Sequence, residues 1–130
     1  MEEEKTRSRR KVPTYIRLDG GRAFAFAGLW SRRGADLYGA PSFSIVTTSP
    51  NALIEPIHDR MPVILSPDAI DTWLDRGLDD ETDLGTLLPL LAPLPTAQME
   101  AYQVSTTVNS PANDAPDCIA PVGQGQSTLL

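Results

Sequence analysis

The stretch "FSIVTTSPNALIEPIHDRMPVILSPDAIDTWLD", residues 43–75, decides how the chain is read. It opens on residues 43–48, whose β-branched content predicts a strand. Ser49 followed by Pro50 has the form of a helix N-cap and first helical position. Pro56 disfavours helical geometry at Glu55, so a helix of about two turns is expected there. The apolar run 61–66 then fits a buried strand. Ser66 caps, Pro67 opens and Asp68 charge-matches a second helix. Ile70, Trp73 and Leu74 lie on one face of it, and Gly77 is its expected terminator.

N-terminal to this stretch, "TYIRLDGGRAFAFAGLW" (14–30) reads as a β-hairpin. Tyr15, Ile16 and Leu18 form one arm, and Asp19-Gly20-Gly21 supply a turn in which glycine accepts positive φ. Phe24 and Phe26 alternate with Ala and Gly, which leaves one side bare enough for a neighbouring backbone to approach. Residues 31–42 read as a loop. C-terminal to it, residues 83–93 predict a weaker helix limited by Pro89 and Pro93, and 99–106 a strand with Tyr102 and Val104 on one side. Residues 109–122 are expected to form an ordered loop pinned by Ile119 and Val122, followed by a loose tail, 123–130. The organisation expected is a leader, 1–12, one domain, 13–122, and that tail. Strands and helices are mixed without regular βαβ alternation, which argues for an α+β fold.

Composition narrows the function. The 130 residues, 41% of them apolar, suffice for one globular domain. No run of about 18 apolar residues is present, so no transmembrane helix is expected. The charged start MEEEKTRSRRK is no secretory signal, and a single cysteine, Cys118, fits a reducing, cytoplasmic setting. The net charge of −6 hides a basic run, Lys5 to Lys11, and an acidic cluster, Asp68 to Asp83, so a basic face toward phosphates is compatible with it. One histidine and no CxxC pair argue against zinc, and no P-loop, GxGxxG or GxSxG motif is present. No cofactor is expected.

The one histidine, His58, stands between Ile57 and Asp59-Arg60. If strand 43–48 and strand 61–66 are neighbours, the hydroxyls of Thr47 and Thr48, the imidazole of His58 and the guanidinium of Arg60 gather at one end of a sheet. Imidazole both gives and takes protons near neutral pH, and guanidinium matches phosphate geometry. Such a set suits a phosphate-bearing substrate.

"PTYIRLDGGRAFAFAGLW", "IHDRMPVIL" framed by "IVTT" and "SPDAIDTWLD", and "YQVSTTVNSPANDAPDCIAPV" together resemble the SOS response-associated peptidase family over residues 11–122. The resemblance implies a compact, curved, mostly antiparallel β-structure with flanking helices. It implies binding of single-stranded DNA at abasic sites and a covalent DNA–protein crosslink through an N-terminal cysteine, as part of the DNA damage (SOS) response. His58 takes the place of the family's acid–base histidine and Arg60 that of its phosphate-binding arginine, with Thr47 or Thr48 beside the same phosphate. The family's assisting glutamate, counted back without gaps from Pro13, falls at Glu3, or at Glu2 or Glu4 with a one-residue shift. Where the family continues with tryptophan, this chain has Glu4, and no Met-Cys-Gly start supplies the nucleophile. On this reading the chain corresponds to the C-terminal portion of the domain. It would act alone with weak DNA binding, act with a partner chain carrying the N-terminal half, or be a non-functional fragment.

Overall fold

A computed structural model describes residues 12–32, 39–77 and 84–123. Glu3, the rest of the acidic triplet and the basic run 5–11 lie outside the described residues, as does most of the expected tail. The chain divides into two compact units: Met1–Arg17 with Glu100–Leu130, and Leu18–Met99.

The first unit is built on β1 (Thr14–Leu18) paired with β8 (Met99–Gln103). Arg17 Nε donates to Glu100 Oε2 at 2.7 Å, the Tyr15 and Tyr102 rings lie 5.4 Å apart, and Val104 N donates to Pro13 O at 3.0 Å. Partners ascend on one strand as they descend on the other, so the pair is antiparallel. The hydrogen bond that Arg17 donates to the Glu100 carboxylate raises the Arg17 pKa above its ordinary value. Residues 104–122 fold back onto this ribbon. Tyr102 donates its hydroxyl to Ile119 O at 2.6 Å, Val122 N donates to Gln103 O at 3.0 Å, and Val104 bridges Pro121. The ordered loop is therefore present, but its apolar anchor is Cys118, 8% exposed, while Ile119 and Val122 are 44% and 37% exposed. Backbone and hydroxyl bonds hold residues 119–122, which leaves their side chains free to face outward.

The expected hairpin between 14–18 and 24–30 does not form. Gly20 and Gly21 do adopt positive φ, 73° and 69°, but the chain leaves the turn in extended geometry at Arg22, and β1 finds its partner in β8. Pairing partners are chosen by packing at long range, which a local turn signal does not report.

The second unit contains three chain segments that each change partner midway. β2 (Ala25–Phe26) pairs antiparallel with β7 (Ile64–Leu65), β3 (Gly28–Ser31) with β4 (Ser42–Ile45), and β5 (Thr47–Thr48) with β6 (Met61–Pro62). The three changeover residues are Ala27, Val46 and Val63. Ala27 N donates to Val63 O, Val63 N to Val46 O and Val46 N to Ala27 O, each at 2.9 Å. The closed ring of main-chain bonds satisfies all six polar groups where no regular ladder could. It requires close approach, and the small side chain of Ala27, fully buried, permits it; Val63 is fully buried beside it. Val63 and Leu65 continue this core, against which Val46, Ile70, Trp73 and Leu91 pack.

α1 (Pro67–Trp73) closes one side of that core. Its cap is the predicted one: Ser66 Oγ accepts from Ala69 N at 3.3 Å, with Pro67 in the first turn. Ile70 and Trp73 pack inward, and Trp73 Nε1 donates to Gly28 O at 3.1 Å. Leu74, expected on the same face, is 69% exposed because the helix ends at Trp73, short of Gly77. There the Asp75 carboxylate captures Gly77 N at 2.8 Å and replaces a further helical turn. α2 (Leu84–Leu87) runs into a tighter 3-10 turn at Leu88–Leu91, as the prolines required.

Residues 52–57, expected to be a short helix capped by Ser49, form consecutive turns instead. Asn51 organises them. Its Oδ1 accepts from Leu53 N at 3.2 Å and Ile54 N at 3.0 Å, and its Nδ2 donates to Leu94 O at 2.8 Å and contacts Met99 Sδ at 3.2 Å. A side chain that serves both the turn and a distant carbonyl outcompetes the local helix signal.

Candidate functional site

The turns started by Asn51 end at His58. Ile54, 4% exposed, anchors them, and its carbonyl accepts from Ile57 N at 2.7 Å and His58 N at 2.9 Å. The imidazole stands clear of the core, with 67% of its side chain exposed. Nδ1 accepts from Arg60 N at 3.0 Å, and lies 3.0 Å from Arg60 O and 3.1 Å from Asp59 Oδ1. In the neutral tautomer whose Nδ1 accepts from Arg60 N–H the proton sits on Nε2; in the other, Nδ1–H donates to Arg60 O. When protonated, Nδ1–H finds the Asp59 carboxylate or the Arg60 carbonyl. Both states of the ring are thus provided for. Among the described residues its polar contacts all pass through Nδ1, which leaves Nε2 toward solvent.

β5 and β6 are antiparallel neighbours, with Thr47 opposite Pro62 and Thr48 opposite Met61. Arg60, one residue ahead of β6, reaches back across this pair to Thr47. Its Nη2 donates to Thr47 O at 2.8 Å and to Thr47 Oγ1 at 3.2 Å, and its Nε to Thr47 Oγ1 at 3.3 Å. One edge of the guanidinium is docked, while Nη1 makes no hydrogen bond to the described residues, and Arg60 as a whole is exposed. A guanidinium held this way gives up little rotamer freedom when an anion arrives.

The structure brings together His58, Arg60 and Thr47. It does not bring Thr48 with them: successive strand residues point to opposite faces, and Thr48 is half-buried where Thr47 is exposed. Glu3 lies outside the described residues. Asn51 and Asp59 enter the site without having been singled out; an asparagine after Ser-Pro is a turn signal, but a helix cap at Ser49 competes for the same residues. Among the described residues no group of three His, Cys, Asp or Glu is placed to hold a metal ion. None of the described helices is long and apolar enough to cross a membrane.

The sequence model of the family described as SOS response associated peptidase (SRAP) matches residues 2–111. The chain belongs to the SRAP family. Similar curated proteins are named for abasic site processing. The abasic site processing protein YoqW of Bacillus subtilis (strain 168) is 45% identical over 113 residues, 84% of this chain and 48% of that protein. The abasic site processing protein HMCES of Xenopus tropicalis is 34% identical over 110 residues, 80% of this chain and 30% of that protein. A crystal structure of a protein from Bacteroides thetaiotaomicron matches with a TM-score of 0.71 at 28% identity, covering 88% of this chain and 50% of that one. This SRAP chain spans about half the length of the Bacillus relatives it matches. The α+β class with antiparallel strands, expected from the order of elements, is the class observed.

Proposed function

We propose that this SRAP-family chain binds single-stranded DNA at abasic sites. Arg60, positioned by Thr47, holds the phosphate beside the baseless sugar, and His58 moves protons at that sugar. The observation that supports this most is the docking of Arg60 on Thr47 within two residues of His58. An abasic sugar in its open form presents an aldehyde. When an amine adds to it, the resulting carbinolamine loses water only if its hydroxyl is protonated as it leaves. Nε2–H of His58 is suited to give that proton and, after reversal by water, to take it back. The sequence has one thiol, Cys118, which is buried and 3.6 Å from Asn113 O, so the covalent attack is not assigned to it. Family membership and the names of the relatives support DNA with abasic sites as the target; the single-stranded form and the roles of His58 and Arg60 follow the family resemblance.

The test is binding of a fluorescent oligonucleotide with one abasic site, followed by anisotropy at several salt concentrations. The intact single strand and the duplex serve as comparisons. The abasic single strand should bind tightest. Arg60→Ala should weaken binding and lower the salt slope by about one, as expected for one lost phosphate contact. Arg60→Lys keeps the charge without the fork and should fall between the two. Equal affinity of Arg60→Ala and the parent chain at low salt would remove Arg60 from the site.

A further inference from the structure

The β3–β4 hairpin exposes large apolar side chains that the core does not use. Trp30 is 69% exposed, Phe43 79%, Leu29 59% and Ile45 46%. Trp30 and Phe43 are directly opposed in the antiparallel register, and Gly28 is opposed to Ile45. By strand alternation, Trp30, Phe43 and Ile45 share one face of the hairpin. Arg32 Cζ lies 6.0 Å from the centroid of the Trp30 ring, which adds a positive charge to that aromatic surface. An aromatic pair with a guanidinium beside it is the composition of a nucleobase-stacking platform: any base offers a π-face, and the cation meets the phosphate that follows.

Position adds to chemistry. Phe43 lies four residues before Thr47 on the continuous run β4–Val46–β5, and Thr47 is where Arg60 docks. Four residues of extended chain reach at most about 13 Å. That corresponds to roughly four nucleotides of a stacked strand at about 3.4 Å each, and to fewer in a stretched one. From this, and resting on the reading of Arg60 as the phosphate contact, we infer that Trp30 and Phe43 stack the nucleobases flanking the abasic site. The platform supplies base-dependent but sequence-tolerant affinity on the intact side of the lesion. The substrate is thereby a strand with bases present a few nucleotides from the missing one, and a run of baseless sugars is a poor ligand.

The experiment uses the full chain carrying Trp73→Phe, which leaves Trp30 as the only tryptophan. Its fluorescence is titrated with a single-stranded oligothymidylate containing one abasic site, and binding is followed in parallel by anisotropy. Stacking should quench Trp30 saturably, with the same midpoint as binding. Phe43→Ala should weaken binding roughly five- to hundredfold, the range for one lost base–aromatic stack. An oligonucleotide in which the four nucleotides on each side are also baseless should bind without quenching. Binding with no quenching, or quenching that is equal with and without flanking bases, overturns the platform and leaves the Arg60 site standing. Quenching that persists undiminished in Arg60→Ala, with no preference for the abasic strand, overturns the Arg60 reading instead. A blue-shifted Trp30 emission that depends on protein concentration without DNA, matched by a dimer in sedimentation, makes the face a self-association surface and overturns the platform. No binding to any oligonucleotide overturns both.

Discussion

Asn51→Ala is expected to be among the most damaging single changes outside the core. The side chain is half-buried and makes three well-formed hydrogen bonds, at 3.2 and 3.0 Å to the turn and 2.8 Å to Leu94 O, besides its contact with Met99 Sδ. Each such bond contributes about 0.5–1.5 kcal/mol net, and part-buried groups left unpaired add to the loss. The expected cost is therefore about 2–4 kcal/mol. For a chain of this size that is a fall in Tm of roughly 6–20 °C, at about 3–5 °C per kcal/mol. Asn51→Asp separates the two ends of the amide. It keeps the acceptor that organises the turn but sets a carboxylate against Leu94 O, so it should lose the long-range bond and retain the local ones. Urea unfolding followed by circular dichroism gives the free energies, provided the slope is unchanged between variants. An Asn51→Ala midpoint that converts to less than about 0.5 kcal/mol of destabilisation would refute the view that this residue, rather than helix propensity, holds the turns before His58.

Three other outcomes are expected. Val63→Ala removes two methyl groups from a fully buried position and should cost about 2–3 kcal/mol, whereas Ile45→Ala, at 46% exposure, should cost well under half of that; thermal melts with equal losses would contradict the placement of the core. His58→Ala should melt within a few degrees of the parent chain, because its ring is mostly exposed and bonded only to near neighbours, and any change should appear in reaction with abasic DNA; a drop of 10 °C or more would make it structural. Cys118, 8% exposed, should react with an aromatic disulfide reagent far more slowly in the native protein than in urea, and equal rates would show that the 104–122 segment is not packed as described.

Local chemistry was legible in the sequence wherever one short segment decides its own geometry. Ser66-Pro67-Asp68 announced α1, the prolines at 89 and 93 confined the next helix, and the β-branched run before Ser49 gave strands. The meeting of Arg60 with Thr47 was legible for a related reason: two strands joined by a short connection are commonly neighbours, and that adjacency brings the two side chains together. Failures came where a distant partner outbids the local signal. The Asp-Gly-Gly turn said hairpin, yet β1 and β2 each satisfy their edges elsewhere in the chain. Ser49 looked like a cap, but Asn51 can bond both the turn and Leu94, which sequence spacing does not reveal. Leu74 was placed inward by periodicity that the helix does not continue long enough to use. Thr48 was grouped with Thr47 by adjacency, although adjacency in a strand means opposite faces.

The ring joining Ala27, Val46 and Val63 is written entirely in peptide groups, which every residue but proline supplies. Its bonds need no polar side chain, so no single side-chain hydrogen bond or salt bridge carries them, although position 27 must stay small for the backbones to approach. Proline is the one residue excluded at all three positions, since each contributes its N–H. The ring also ties residues 19, 17 and 36 apart in sequence (27 to 46, 46 to 63, 27 to 63). Its bonds should therefore form late in folding, after the loops between them have closed. Two of those spans leave from the ring and return to it, and the one between 46 and 63 carries Thr47, His58 and Arg60. Their spacing is inherited from a closure made of backbone alone, so the chemistry at its tip can be retuned by substitution without reopening the fold beneath it.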